Sequence, residues 1–214
     1  MKQKSLFVCL LFIAFILSGC NTNPGSSSGK DYSKNEFLGE VPSINKEFKQ
    51  KIDEKIVEIK ECTDPDKSIK LREEFEQLKA TRDELIEKSF AECLLKPVPF
   101  EPIENVPYTI NGINISKASD GISLKVTFTV KTTEAVTEYT KKEIISYLYA
   151  WYSPIDNKGN VIANKKYLAR NERFVDLRPD MEIELVSTWS IGLLDDMGDF
   201  AKIRLITKEE YEAK

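Results

Sequence analysis

Ile122-Ser123-Leu124-Lys125-Val126-Thr127-Phe128-Thr129-Val130-Lys131 alternates apolar and polar side chains without interruption. A period of two puts every apolar residue of this stretch on one face, which predicts a strand half-buried against a core. Asp120-Gly121 just before it is a hairpin-turn signal. Downstream, residues 144 to 152 are nearly all apolar or aromatic, as expected of a central strand, and Asp156-Asn157-Lys158-Gly159 turns the chain into 160 to 169. Pro179-Asp180 sets another turn before Ile183, Leu185, Ser187 and Trp189, and Ala201, Ile203 and Leu205 alternate in a last strand. Short strands at this spacing predict an all-β sandwich over residues 108–208.

Upstream of the strands the period changes. Ile44, Phe48, Ile52, Ile56 and Ile59 recur at spacings of four and three, a helix over about 43 to 62. Asp64-Pro65 reads as an N-cap followed by a first-turn proline, and Leu71, Phe75, Leu78, Leu85 and Cys93 continue a second helix over about 65 to 95. Thr81-Arg82-Asp83-Glu84 has the spacing of a capping box, so the second helix either runs through or restarts there. The fold class is therefore α+β: a helical hairpin or short helical bundle over 43–96, a stiff connector over 97–107 carrying Pro97, Pro99, Pro102 and Pro107, then the sandwich. Residues 20–42, with Pro24, Gly25, Ser26, Ser27, Ser28 and Gly29, have the composition of a flexible tether.

At the N-terminus Lys2 and Lys4 precede an apolar run from Leu6 to Leu17. That run spans only about 18 Å as a helix, short of a hydrocarbon core of about 30 Å, and fits an export signal over 1–19 better than a membrane anchor. Leu17-Ser18-Gly19-Cys20 resembles the lipobox of bacterial lipoproteins. The resemblance implies that Cys20 is acylated through its thiol and becomes the first residue of the mature chain. The expected location is the bacterial cell envelope, with the protein held on a membrane through Cys20 and its body in the periplasm or outside the cell. Asn21 after the cysteine favours the outer membrane in a Gram-negative host.

The strand region, on Val126 to Val130, Tyr147-Leu148-Tyr149-Ala150-Trp151-Tyr152, Asp156 to Gly159 and Leu177-Arg178-Pro179, is similar to the immunoglobulin-like modules of envelope lipoproteins, including the FxLYD type. The resemblance implies a binding or spacer module without catalytic residues.

Composition narrows the chemistry further. The 214 residues contain no histidine, which removes imidazole as base, proton shuttle or metal ligand. The formal net charge is −4, against nucleic-acid binding.

With Cys9 in the signal and Cys20 acylated, Cys62 and Cys93 remain. An exported even pair points to a disulfide, whereas a straight second helix separates its ends by about 40 Å and forbids one. The bridge forms only if the chain reverses near Thr81; free or intermolecular thiols are the alternative.

Ser43-Ile44-Asn45-Lys46 matches a serine–lysine nucleophile spacing, but Ser43 after Pro42 is better read as a helix N-cap. Asp195, Asp196 and Asp199 offer oxygen ligands for a hard cation or form a plain acidic turn. Tyr147, Tyr149 and Trp151 share one strand face, either as core or as a stacking platform for a sugar or a partner. No motif implies a cofactor or a metal. The expected function is a non-catalytic protein-interaction or spacer module with an envelope protein as partner. Alternatives are an envelope protein binding a sugar or cation and, further off, a cell-wall enzyme.

Overall fold

The computed structural model describes residues 32–92, 96–120, 123–135, 138–139, 144–145, 147–171 and 177–213. Ser33–Lys214 forms one compact unit. Its helices are α1 (Val41–Glu61), α2 (Pro65–Glu92) and α3 (Lys208–Glu212). Its strands are β1 (Phe100–Glu101), β2 (Tyr108–Lys117), β3 (Ser123–Thr132), β4 (Glu138–Tyr139), β5 (Ile144–Ile145), β6 (Tyr149–Asp156), β7 (Tyr167–Arg170), β8 (Glu182–Ser190) and β9 (Phe200–Ile206). The fold is mixed α+β with a β-rich body.

Seven strands form one barrel-like sheet in the order β1-β9-β6-β7-β8-β3-β2, antiparallel except for the β1–β9 pair, and β4 and β5 pair as a separate two-stranded sheet. Its two ends are brought together by the proline-rich connector. Val98 N–H donates to the Ile113 carbonyl of β2 at 2.8 Å, while Pro99 C=O accepts from Ile203 N–H of β9 at 3.0 Å. Proline supplies an acceptor without a donor, so this segment can stitch one strand through its carbonyl while alternate residues use their N–H on the other side. The connector thus contains a strand that its composition conceals.

Alternation along β3 buries Leu124, Val126, Phe128 and Val130 as its sequence predicts. Facing them inside the barrel are Tyr152 on β6, Leu185 and Trp189 on β8, and Ile203 on β9, all fully buried. Phe128 and Tyr152 ring centroids lie 5.0 Å apart, and Trp189 meets Tyr167 at 5.5 Å and Phe200 edge-on at 5.5 Å. Asp156 Oδ1 accepts from the backbone N–H of Lys158 and Asn160, and Gly159 takes the left-handed φ of 87° that closes the predicted turn. At the Pro179-Asp180 turn, Asp180 has φ 64° and pairs with Lys131 at 2.8 Å.

The folded body begins ahead of residue 42, where the tether was expected to end. Leu38 and Val41 are fully buried, and the Asn35 side chain clamps the entering chain to the barrel. Its Nδ2 donates to the carbonyls of Gly198 and Phe200 at 2.9 and 2.8 Å, and its Oδ1 accepts from Phe37 N–H and Leu38 N–H. Phe37 packs edge-on against Phe200 at 5.8 Å, and Lys49 of α1 pairs with Asp195 at 2.5 Å.

α1 and α2 are antiparallel neighbours joined by Cys62-Thr63-Asp64, with Asp64 Oδ1 capping α2 through Asp66 N–H at 2.9 Å. Helix α2 does not restart at Thr81: its hydroxyl donates to the Gln77 carbonyl one turn back, at 2.9 Å, inside a continuous 28-residue helix. Nor does Ser43 cap α1, which starts at Val41; the Ser43 hydroxyl donates instead to the Ser33 carbonyl at 2.8 Å. Ile44, Phe48, Leu71 and Ile86 are buried, whereas Val57 and Ile69, toward the hairpin turn, are 51% and 57% exposed.

Candidate functional site

Strand β6 lies inside the sheet between β9 and β7, and its pleat separates two kinds of aromatic residue. Ala150 and Tyr152 point inward and are fully buried. Tyr149 and Trp151 point outward and are half-buried, as is Tyr147 just before the strand. Tyr147 and Tyr149 rings are 5.9 Å apart and 36° inclined; Tyr149 and Trp151 are 5.7 Å apart and 25° inclined. The three predicted residues therefore form a row on the outer surface, and the core is built from other aromatics.

Register supplies the flanks of the row. Arg170 and Leu168 of β7 lie opposite Tyr149 and Trp151, and Ile206 of β9 lies opposite Trp151. The Arg170 guanidinium stands over the Tyr147 ring, 5.6 Å from its centroid, a cation–π contact. Among the described residues no carboxylate pairs with Arg170. The outer face of β3 has the opposite character, with Lys125, Thr127, Thr129 and Lys131.

A cavity opens at each end of the row. Among the described residues strands β7 and β8 share the Arg170–Val186 pair, and a space of about 330 Å³ beside it is bordered by Tyr147, Leu168, Arg170 and Thr188. Past Trp151, a space of about 950 Å³ lies among β6, β9, the 161–166 loop and α3, bordered by Ser153, Asn164, Lys166, Arg204, Ile206 and Tyr211. Ala163 and Asn164 at its edge have φ 48° and 53°, left-handed values that cost about 1–2 kcal/mol for a residue with a Cβ.

Electrostatics at this second cavity are ordered by Glu101. Its carboxylate takes Arg204 and Lys202, each at 2.5 Å, and the Arg204 hydrogen bond followed by that of Lys202 holds its pKa below the ordinary carboxylate value. Arg204 Nη2 also donates to the Gly159 carbonyl at 3.2 Å. Lys166 Nζ donates to the carbonyls of Glu210 and Ala213, at 2.5 and 2.6 Å, at the C-terminal end of α3.

The other predicted positions stand apart from this face. Asp195 pairs with Lys49, and Asp196 with Lys165 at 3.4 Å, so that acidic loop fastens neighbouring segments; among the described residues no three metal-ligating side chains gather. Cys62 lies in the turn between α1 and α2 as a free thiol, its Sγ 3.4 Å from the Asp64 carbonyl. Cys20 and Cys93 fall outside the described residues.

Sequence reasoning missed Arg170 and the Lys166–Arg204 cavity. Both depend on β6–β7 and β6–β9 register, and the only signal in the sequence is the short alternation Tyr167-Leu168-Ala169-Arg170. No family model, curated protein or solved structure matches this chain.

Proposed function

We propose that the chain is a bacterial envelope lipoprotein, anchored through Cys20, whose body is a non-catalytic interaction module with an immunoglobulin-like β-region. The observation that carries this reading is the outward row Tyr147, Tyr149 and Trp151. Half-buried Trp151 and Leu168 keep part of their apolar area on this outer face, a contact surface for a partner. The lipobox at Leu17 to Cys20 supports the anchor. Support for the immunoglobulin-like reading comes from the strand groups β2-β3-β8 and β1-β9-β6-β7, whose inner faces meet through Phe128 and Tyr152.

Two experiments test the parts separately. Metabolic labelling with a fatty-acid alkyne tags the wild-type protein, and Cys20→Ser is unlabelled and retained at precursor size; a mutant at mature size in the membrane fraction contradicts the anchor. Crosslinking in intact cells recovers a discrete partner adduct, which the double variant Tyr149→Ala/Trp151→Ala loses while melting near the wild-type temperature. An undiminished adduct in that variant contradicts the interaction face. A second reading, an envelope protein that binds a small or polymeric ligand, is favoured by the two cavities that flank the row.

A further inference from the structure

We infer that the cavity beyond Trp151 is a binding site for a neutral, hydroxyl-rich small molecule, a saccharide of one or two rings. The inference rests on the ligand-binding form of the reading above and confines it to this cavity, apart from the aromatic row. The deciding group is Ser153. The pleat of β6 puts its side chain on the outer face with Tyr149 and Trp151, yet Ser153 is 1% exposed and lines the cavity together with Asn164 of the 161–166 loop and Tyr211 of α3. Its hydroxyl has no hydrogen-bond partner among the described residues. Buried polar groups are ordinarily paired, so a hydroxyl left open toward a cavity is a place where a ligand's own hydroxyl gains a partner.

Two further neutral groups border the same space without a partner among the described residues, the Asn164 amide and the Tyr211 hydroxyl. Two hydroxyls and an amide, each able both to donate and to accept, match the mixed donors and acceptors of neighbouring sugar hydroxyls. Val161, Ile206 and the Tyr211 ring add apolar wall suited to the C–H face of a sugar ring. The charged side chains at the cavity are engaged within the protein. Lys166 donates to the Glu210 and Ala213 carbonyls, Arg204 to Glu101 and the Gly159 carbonyl, and the Glu210 carboxylate accepts from Thr207 N–H. The groups still unpaired are therefore neutral, which selects a neutral ligand over an anionic or cationic one. At about 950 Å³ the space lies within the roughly 300–1,000 Å³ of small-molecule sites.

The test uses the purified full chain in a zwitterionic detergent without sugar headgroups. Saturation-transfer NMR titrations use glucose, N-acetylglucosamine, maltose and chitobiose, with glucuronate and glucosamine as the anionic and cationic counterparts of glucose. At least one neutral saccharide binds saturably, and Ser153→Ala and Asn164→Gly each weaken it about threefold to tenfold, the loss of one neutral hydrogen bond. Asn164 has φ 53°, which glycine adopts without strain, so Asn164→Gly melts no lower than wild type and its weaker binding is not a folding defect. Thr127→Ala on the outer face of β3 leaves binding unchanged. If no neutral saccharide binds, the inference is overturned; tighter binding of glucuronate or glucosamine than of glucose overturns the neutral assignment. Wild-type affinity in both Ser153→Ala and Asn164→Gly overturns this cavity as the site. Failure to bind while cellular crosslinking still depends on Tyr149 and Trp151 overturns the saccharide site and leaves the interaction module standing, and saccharide binding without such crosslinking does the reverse.

Discussion

The indole Nε1–H of Trp189 donates to the Tyr152 hydroxyl at 2.9 Å, with both side chains fully buried inside the barrel. This bond joins β8 to β6 across the core and gives each aromatic polar group its partner. Burial, opposed in part by the Ser187 and Trp189 hydrogen bonds, pushes the Tyr152 phenol well above its ordinary pKa. Tyr152→Phe keeps the ring but strands a buried donor, an expected loss of about 1–3 kcal/mol in urea unfolding. A neutral substitution contradicts this packing.

Barrel closure is open to hydrogen exchange. Val98 N–H is held by Ile113 and Ile203 N–H by Pro99, so both amides belong among the slowly exchanging set. Fast exchange at Val98 beside slow exchange at Ile203 means an open sheet.

Continuity of α2 predicts a large effect of proline at position 82. In a helix restarting at Thr81, residue 82 is the first helical position and accepts proline. In the continuous helix, Arg82→Pro removes a backbone bond and clashes with the preceding turn, a loss of about 3 kcal/mol in thermal or urea unfolding.

Glu101 makes stability depend on acid. Its folded pKa lies below 4.5 because Arg204 and then Lys202 favour the carboxylate. The stabilisation is present above the unfolded value and is lost as pH falls through the folded one. Glu101→Gln therefore melts lower than wild type near pH 7, and the difference shrinks toward about pH 3. A gap that persists into acid assigns the Glu101 contribution to packing.

How much of this was legible follows from which interactions are local. The hairpin helices, the β3 alternation, the Asp64 cap and the Asp156–Gly159 turn depend on neighbours in sequence and can be read there. The β1 strand was hidden because prolines mask strand periodicity, and its partners Ile203 and Arg204 are distant in the chain. Asn35, in a segment of tether-like composition, gains its order from Gly198 and Phe200. The aromatic row was visible as a shared face, but whether that face looks inward was not. In a dense aromatic run both parities carry large rings, and only the barrel decides that Tyr152 enters and Trp151 faces out.

The most direct test of the central claim is photo-crosslinking in intact cells with a photoreactive phenylalanine analogue placed at position 151 and, separately, at position 127. The account predicts a discrete adduct from position 151 and none from position 127. Adducts of equal yield from both positions, or from position 127 alone, contradict an interaction face centred on the outward aromatic row.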